Sequence, residues 1–207
     1  IRQRHSVRQY KTTPIEQEKR KEINQCIAQI NSESGLNMQV FYDEPRCFDS
    51  FMAHYGKFKN VNNYIAIVGT KQQQEVAGYY GEKLVLKCQE LGLNTCWVAM
   101  THGKTKAVTG KGQKLLIVIS LGYGKTQGVS HKSKPIAQLS NADKKEDWFE
   151  KGMEAVALAP TAVNQQKFLF ELKNGTVTAK ALNGFYTKID LGIAKYHFEA
   201  VTGHEVH

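Results

Sequence analysis

Arg4-His5-Ser6-Val7-Arg8 puts two guanidiniums, an imidazole and a hydroxyl into five residues. Side chains alternate along an extended segment, so Arg4, Ser6 and Arg8 would share one face. Guanidinium forks and a hydroxyl suit the oxygens of a terminal phosphate. A solvated basic terminus is the competing reading of the same residues. A second stretch, Pro160-Thr161-Ala162-Val163-Asn164-Gln165-Gln166, sits between a helical pattern and the aromatic run Phe168-Leu169-Phe170. A fainter copy, Ser34-Gly35-Leu36-Asn37-Met38-Gln39, lies near the other end of the chain. Both copies have an Asn, a Gln two residues on, and then an apolar strand pattern. A chain that carries a helix–polar loop–strand unit twice is expected to form two halves with a ligand site at their seam.

The elements that would hold these groups follow from hydrophobic spacing. Pro14 opens a helix whose apolar residues Ile23, Cys26, Ile27 and Ile30 fall at i, i+3, i+4 and i+7, and Gly35 ends it. Met38–Tyr42 reads as a strand, and residues 43–63 as irregular. Tyr64–Gly69 has the continuous apolar run of a central strand. A helix over 74–91 stops at Gly92, with Thr95–Met100 and Lys114–Leu121 as the next strands. Ala142–Ala159 reads as a helix ended by Pro160. Lys167–Leu172 and Thr176–Ala181 form a hairpin around Asn174-Gly175, and Ile189–Val201 is a last helix. Gly78-Tyr79-Tyr80 and Gly184-Phe185-Tyr186 read as matching openings of two long helices. Helix and sheet mix without regular βαβ alternation, which favours an α+β fold.

Composition narrows the function class. The 207 residues suffice for one domain or two packed halves. The longest apolar run, Leu115–Ile119, is far too short to span a bilayer, and no signal peptide is visible. Four dispersed cysteines, Cys26, Cys47, Cys88 and Cys96, offer neither zinc-ligand spacing nor a disulfide framework. Reduced thiols in a cytoplasm are the expectation. The net charge is +9, and residues 91–142 contain seven lysines and no acid. Such a field concentrates anions. Gly124-Lys125-Thr126 and Gly103-Lys104-Thr105 lack the first glycine of a P-loop, since Ile119 and Val98 stand there. His204 and His207 read as a solvated tail. No acid–base pair or nucleophile triad stands out, so an enzyme of this sequence would rely on a cofactor.

Four separated motifs together are more specific than any one. They are Arg4-His5-Ser6-x-Arg8-x-Tyr10; Leu91-Gly92-Leu93-Asn94-Thr95-Cys96-Trp97-Val98; Leu121-Gly122-Tyr123-Gly124 followed by Lys132-Ser133-Lys134-Pro135; and Ala159–Gln166. In this combination the chain resembles the nitroreductase family of flavin enzymes. The order is unusual, because the better Pro-x-x-x-Asn loop lies near the C-terminus. The chain is therefore similar to a subgroup in which one polypeptide mimics the family's homodimer, as an internal pseudo-dimer of two α/β halves. Residues 1–140 would be the first half and 141–207 the second, shorter one.

The resemblance implies one FMN per chain. Arg4, Ser6 and Arg8 would hold its phosphate and ribityl chain with His5 nearby, and Lys132 and Lys134 would close the clamp. Trp97, Val98, Ala99 and Met100 would border the ring, with backbone N–H groups around Ala99 and Met100 facing N5. Pro160, Thr161, Ala162 and Asn164 would border it from the second half; Gln166 would support the loop. The implied activity passes a hydride from NAD(P)H through flavin N5 to a nitroaromatic, quinone or similar acceptor. Two alternatives are a non-catalytic FMN-binding protein and a basic module for anions or RNA. Against RNA, Tyr123 is the only aromatic between Lys104 and Lys134. A monomer without nucleic-acid or membrane partners is expected.

Overall fold

Strand β2, Asn63–Gly69, is buried along its whole length. Apolar side chains on both faces require cover on both, so β2 must be central. It pairs antiparallel with β1, Asn37–Phe41, on one side and with β4, Lys114–Gly122, on the other. Strand β3, Asn94–Val98, closes the far edge, giving the order β1-β2-β4-β3. This computed structural model describes residues 1–142, 144 and 146–207.

The chain divides into two compact units that interleave in sequence. The larger comprises residues 3–73 and 84–130, and the smaller 1–2, 74–83 and 131–207. The sequence boundary at 140 is contiguous, whereas these units are not. Helix α3, Gln74–Glu90, contributes its first part to one and its last part to the other.

In the larger unit, α1 spans Gln17–Ser34. Ile23, Ile27 and Ile30 are buried as their spacing predicts, and Cys26 is half-buried. Gly35 caps the helix at φ 67°, and its N–H bonds to the Asn31 carbonyl. The Asn31 amide then accepts from Met38 N–H and donates to the Met38 carbonyl, fixing the start of β1. Residues 43–63 are less irregular than expected. They hold a 3-10 turn at Pro45–Cys47 and a short helix α2, Phe51–Tyr55, capped by the Ser50 hydroxyl. Phe48, Phe58 and Tyr64 pack together beneath it.

The smaller unit has a three-stranded sheet in the order β5-β6-β7. Strands β6, Phe168–Lys173, and β7, Thr176–Ala181, form the expected hairpin, with Asn174 and Gly175 both at positive φ. The expected helix at 142–159 is shorter: α4 covers Asp147–Val156. Ser140–Ala142 is instead strand β5, parallel to β6, and two positions of the expected helix, 143 and 145, lie outside the described residues. Phe149 of α4, Phe170 of β6 and Phe198 of α5, Thr187–Thr202, form its aromatic core. The C-terminus is not a loose tail. Val206 and His207 pair with β7, and His204 stacks on Trp148 at 3.9 Å between ring centroids.

Helices α3 and α5 meet backbone to backbone in this unit. A Cβ on Gly192 would strike the Glu75 carbonyl oxygen and lie 2.7 Å from the Tyr79 nitrogen. A Cβ on Gly78 would strike the Ile189 carbonyl. The structural counterpart of Gly78 is therefore Gly192. Gly78 lies inside α3 rather than opening it, and Gly184 lies in the turn before α5.

Candidate functional site

Two of the four sequence motifs, and the Leu121–Gly124 part of a third, converge within the larger unit. The segment around Ser6 runs parallel to β3, with a bridge from Ser6 to Thr95 and a bond from Val7 N–H to the Thr95 carbonyl. Further on, Tyr10 N–H bonds to Lys59, Lys11 N–H to Tyr123, and Lys125 N–H to Gln9, all at carbonyl oxygens. The segment is thus extended, as the phosphate reading requires. Val7 and Tyr10 are buried, while Ser6 and Arg8 stand exposed. The Tyr10 hydroxyl donates to the Val7 carbonyl and meets Ser120 Oγ at 2.7 Å. Burial raises the Tyr10 phenol well above its ordinary value, so it stays neutral as a structural tie.

Arg4 is only 4% exposed, unlike Arg8. Arg8 extends over the Phe58 ring at 5.9 Å. The half-buried His5 lies against Gly128, where a Cβ would come 2.8 Å from His5 Cβ. Cys96 is buried beside this cluster. Burial pushes its thiol up, and Arg8, Ser6 and Arg4 pull it back. Asn94 locks the neighbouring turn, accepting from Gly124 N–H and donating to Gln127. An open cleft of about 630 Å³ runs past the segment, lined by Gln9, Phe58, Lys57, Lys59 and Asn60 among others.

After Val98 the chain leaves the sheet, so Ala99 and Met100 are loop residues rather than strand. Trp97 and Ala99 are half-buried, and Met100 is exposed. Gly103 N–H bonds to the Cys47 carbonyl at 2.6 Å, and Gly56 leaves room for Thr101. The short helix α2 is thereby tied to the Ala99–Gly103 loop, and it exposes Phe51 and Tyr55.

The smaller unit brings together Lys132, Lys134 and the loop that follows Pro160. Asn164 Nδ2 donates to the Lys132 carbonyl at 2.8 Å. Gln166, 2% exposed, donates to that carbonyl and to Asn164 Oδ1, and accepts from Lys134 N–H. It is a central brace of the loop. The Lys134 ammonium bonds the Gln165 and Gln166 carbonyls at 2.7 and 3.1 Å, so it holds the loop, whereas Lys132 is exposed. Thr161 Oγ1 accepts from Gln166 N–H, and Pro160 is buried.

One residue escaped the sequence reading. Asp190 accepts from Ala162 N–H at 2.9 Å and from Gln165 Nε2 at 2.8 Å. Burial raises its carboxyl to about 6, although both hydrogen bonds favour the charged form. Its signal was an acid between Ile189 and Leu191 at the start of a helix expected to be buried. Among the described residues no group of His, Cys, Asp and Glu could hold a metal ion, and no helix is long and apolar enough to cross a membrane.

The comparisons agree with this architecture. Residues 1–202 match a family model described as "Putative TM nitroreductase". A "putative nitroreductase" from Thermotoga maritima superposes with a TM-score of 0.70 at 21% identity, covering 99% of this chain and 84% of its own. A "putative nitroreductase in complex with FMN" from Desulfovibrio desulfuricans reaches 0.53 at 19% identity, covering 67% of this chain and 91% of its own. A protein from Bacteroides thetaiotaomicron, described as a "putative NADH dehydrogenase/NAD(P)H nitroreductase", reaches 0.50 at 18% identity, covering 66% and 90%. No curated protein matches. These structural likenesses speak to the fold; the family model, which spans nearly the whole chain, decides membership. The chain belongs to the nitroreductase family.

Proposed function

We propose that this chain is an FMN-dependent oxidoreductase that takes reducing equivalents from NAD(P)H and passes them to a nitroaromatic, quinone or similar small acceptor. The observation that carries the reading is the extended segment Arg4–Arg8, tied to Thr95, with Ser6 and Arg8 exposed on either side of buried Val7 and Arg4 buried at its start. Two guanidiniums and a hydroxyl on such a segment fit a phosphate-bearing cofactor. FMN-bound and NAD(P)H-linked relatives of the same fold support the choice of group.

When bound, FMN supplies the two-electron redox chemistry, accepting a hydride from NAD(P)H and passing it to the acceptor. The chain's own residues bind and orient. Arg4 and Arg8 neutralise the phosphate, and Ser6 donates a hydrogen bond to it. His5 keeps the segment seated against Gly128. Trp97, Val98, Ala99 and Met100 supply backbone and apolar surface for the ring. In the smaller unit, Lys132 adds charge for the phosphate and Lys134 fixes the loop. Pro160, Thr161, Ala162 and Asn164 are carried as the remaining flavin contacts. In this reading one FMN binds per chain. No side chain is assigned as a proton donor, in keeping with chemistry that resides on the cofactor.

The test is spectroscopic. Purified protein, or apoprotein given FMN, should show the yellow flavin bands, and NADH or NADPH should bleach them without oxygen. Protein that stays colourless in excess FMN would sink the reading. Flavin that binds but is never reduced would instead identify a non-catalytic FMN-binding protein.

A further inference from the structure

The loop from Pro160 to Gln166 holds a backbone shape that its sequence does not favour. Val163, Asn164 and Gln166 have φ of 45°, 56° and 45°. Left-handed backbone is unfavourable for residues with a Cβ, and most of all for a β-branched one such as Val163. Such a shape persists only where its surroundings over-determine it. Gln166 and Lys134 provide one set of ties, already described. The other comes from α5 through Asp190, which is 3% exposed.

Asp190 uses one oxygen for Ala162 N–H and the other for Gln165 Nε2. The same Gln165 amide donates to the Phe185 carbonyl at 2.8 Å. Both donors are neutral. Nearby charged groups are otherwise engaged: Lys134 bonds loop carbonyls, and Glu75 of α3 pairs with Lys195 of α5 at 2.7 Å. We propose that Asp190 is a positioning residue that shapes the Pro160–Gln166 loop through Ala162 and Gln165, and thereby sets the chain's affinity for FMN. The affinity part rests on the cofactor reading above; the loop part stands on geometry alone.

The chemistry gives the proposal a pH signature. A carboxylate accepts at both oxygens. Once protonated, it carries an O–H on one oxygen, which makes that oxygen a much weaker acceptor and weakens one of the two loop bonds. Its carboxyl titrates at about 6, so the loop loosens in mild acid. An asparagine at this position could still accept from Ala162, but its NH₂ would face the NH₂ of Gln165.

The experiment titrates FMN into the full-length apoprotein, followed by flavin fluorescence across about pH 5 to 8, with amide hydrogen exchange at Ala162 measured without flavin. Wild-type affinity should fall about fivefold in acid, equivalent to one ordinary hydrogen bond, with a midpoint near 6. Asp190→Asn should bind about fivefold more weakly at neutral pH, show no step, and exchange Ala162 faster. Gln165→Ala, at a half-buried site, is the second variant should Asp190→Asn fail to fold. It should weaken FMN binding while Ala162 keeps part of its protection. Wild-type affinity and a wild-type pH profile in the variants that fold, with Ala162 still fully protected, would overturn the proposal. A wild-type chain that takes no FMN at any pH overturns the cofactor reading, and exchange at Ala162 still decides the hold of Asp190 on the loop.

Discussion

Gly192→Ala puts two opposing effects of known size against each other. Replacing a mid-helix glycine by alanine gains about 1 kcal/mol of helix propensity. Here the new methyl would strike the Glu75 carbonyl oxygen, and would lie 2.7 Å from the Tyr79 nitrogen and 2.9 Å from the Glu75 carbonyl carbon. Ordinary contact begins at roughly 3.4 Å, so α5 must move away from α3 by more than half an ångström. The obstructing atoms are backbone, which cannot rotate aside. Overpacking of this kind costs about 1–3 kcal/mol, and rigid obstacles put the cost at the upper end. The net expectation is a loss of about 1–2 kcal/mol. In urea the unfolding midpoint should fall by about 0.5–1 M at an m-value near 2 kcal/mol/M. Because Asp190 lies two residues upstream, Ala162 should also exchange faster. A midpoint that rises would mean propensity wins, and that α3 and α5 are not in backbone contact at Gly192.

Other perturbations have equally definite signs. Glu82→Ala removes the partner of His197, a pair with both side chains 0% exposed and Nε2 to Oε1 at 2.9 Å; the loss should be about 3–5 kcal/mol in chemical denaturation, and Glu82→Gln, which keeps a hydrogen bond, should lose clearly less. Arg8→Ala, at an exposed position, should weaken FMN binding at least tenfold by fluorescence titration, with about 1.5–3 kcal/mol lost for a charge-assisted contact. Asp190 has its folded carboxyl raised from 3.8 to about 6, so its contribution is most favourable below pH 4 and is lost as pH rises to about 6. That amounts to about 3 kcal/mol, and Asp190→Asn should flatten this slope in denaturation measured at several pH values.

Much of the fold is legible because it is local. Ile23, Ile27 and Ile30 mark α1, Asn174-Gly175 marks a hairpin, and Tyr64–Gly69 marks a central strand, each through a few residues of one pattern. The candidate phosphate segment is legible in part for the same reason: alternation predicts that Arg4, Ser6 and Arg8 share a side, and Ser6 and Arg8 are exposed around buried Val7, whereas Arg4 is buried, which alternation alone does not foresee. What escaped depends on distant partners or on exposure. Strand β5 has three residues and exists only because β6 lies beside it. Phe51 and Tyr55 are apolar but exposed, so spacing could not mark α2 as a buried element. Val206 pairs with Val177 of β7 across the whole of the last helix. No glycine advertises the left-handed turn at Val163 and Asn164.

That turn also separates the two Asn loops that look alike in sequence. Asn37 begins a regular strand paired with Val68, and its side chain donates to the Val108 carbonyl. Gln39 grips the same residue, accepting from Val108 N–H and donating to its carbonyl. These are ties of an exposed loop to a sheet edge, at no conformational cost. Asn164 instead sits at positive φ between Val163 and Gln165, with its amide committed to Lys132 and Gln166. Strain of this kind concentrates where a loop serves a ligand. Asn164→Ala, or a bulky residue in place of Ala162, should therefore weaken FMN binding, whereas Asn37→Ala should cost at most about 1 kcal/mol of stability and leave the flavin titration unchanged. Equal effects on flavin from both asparagines would mean two equivalent loops, and would remove the argument for a single site.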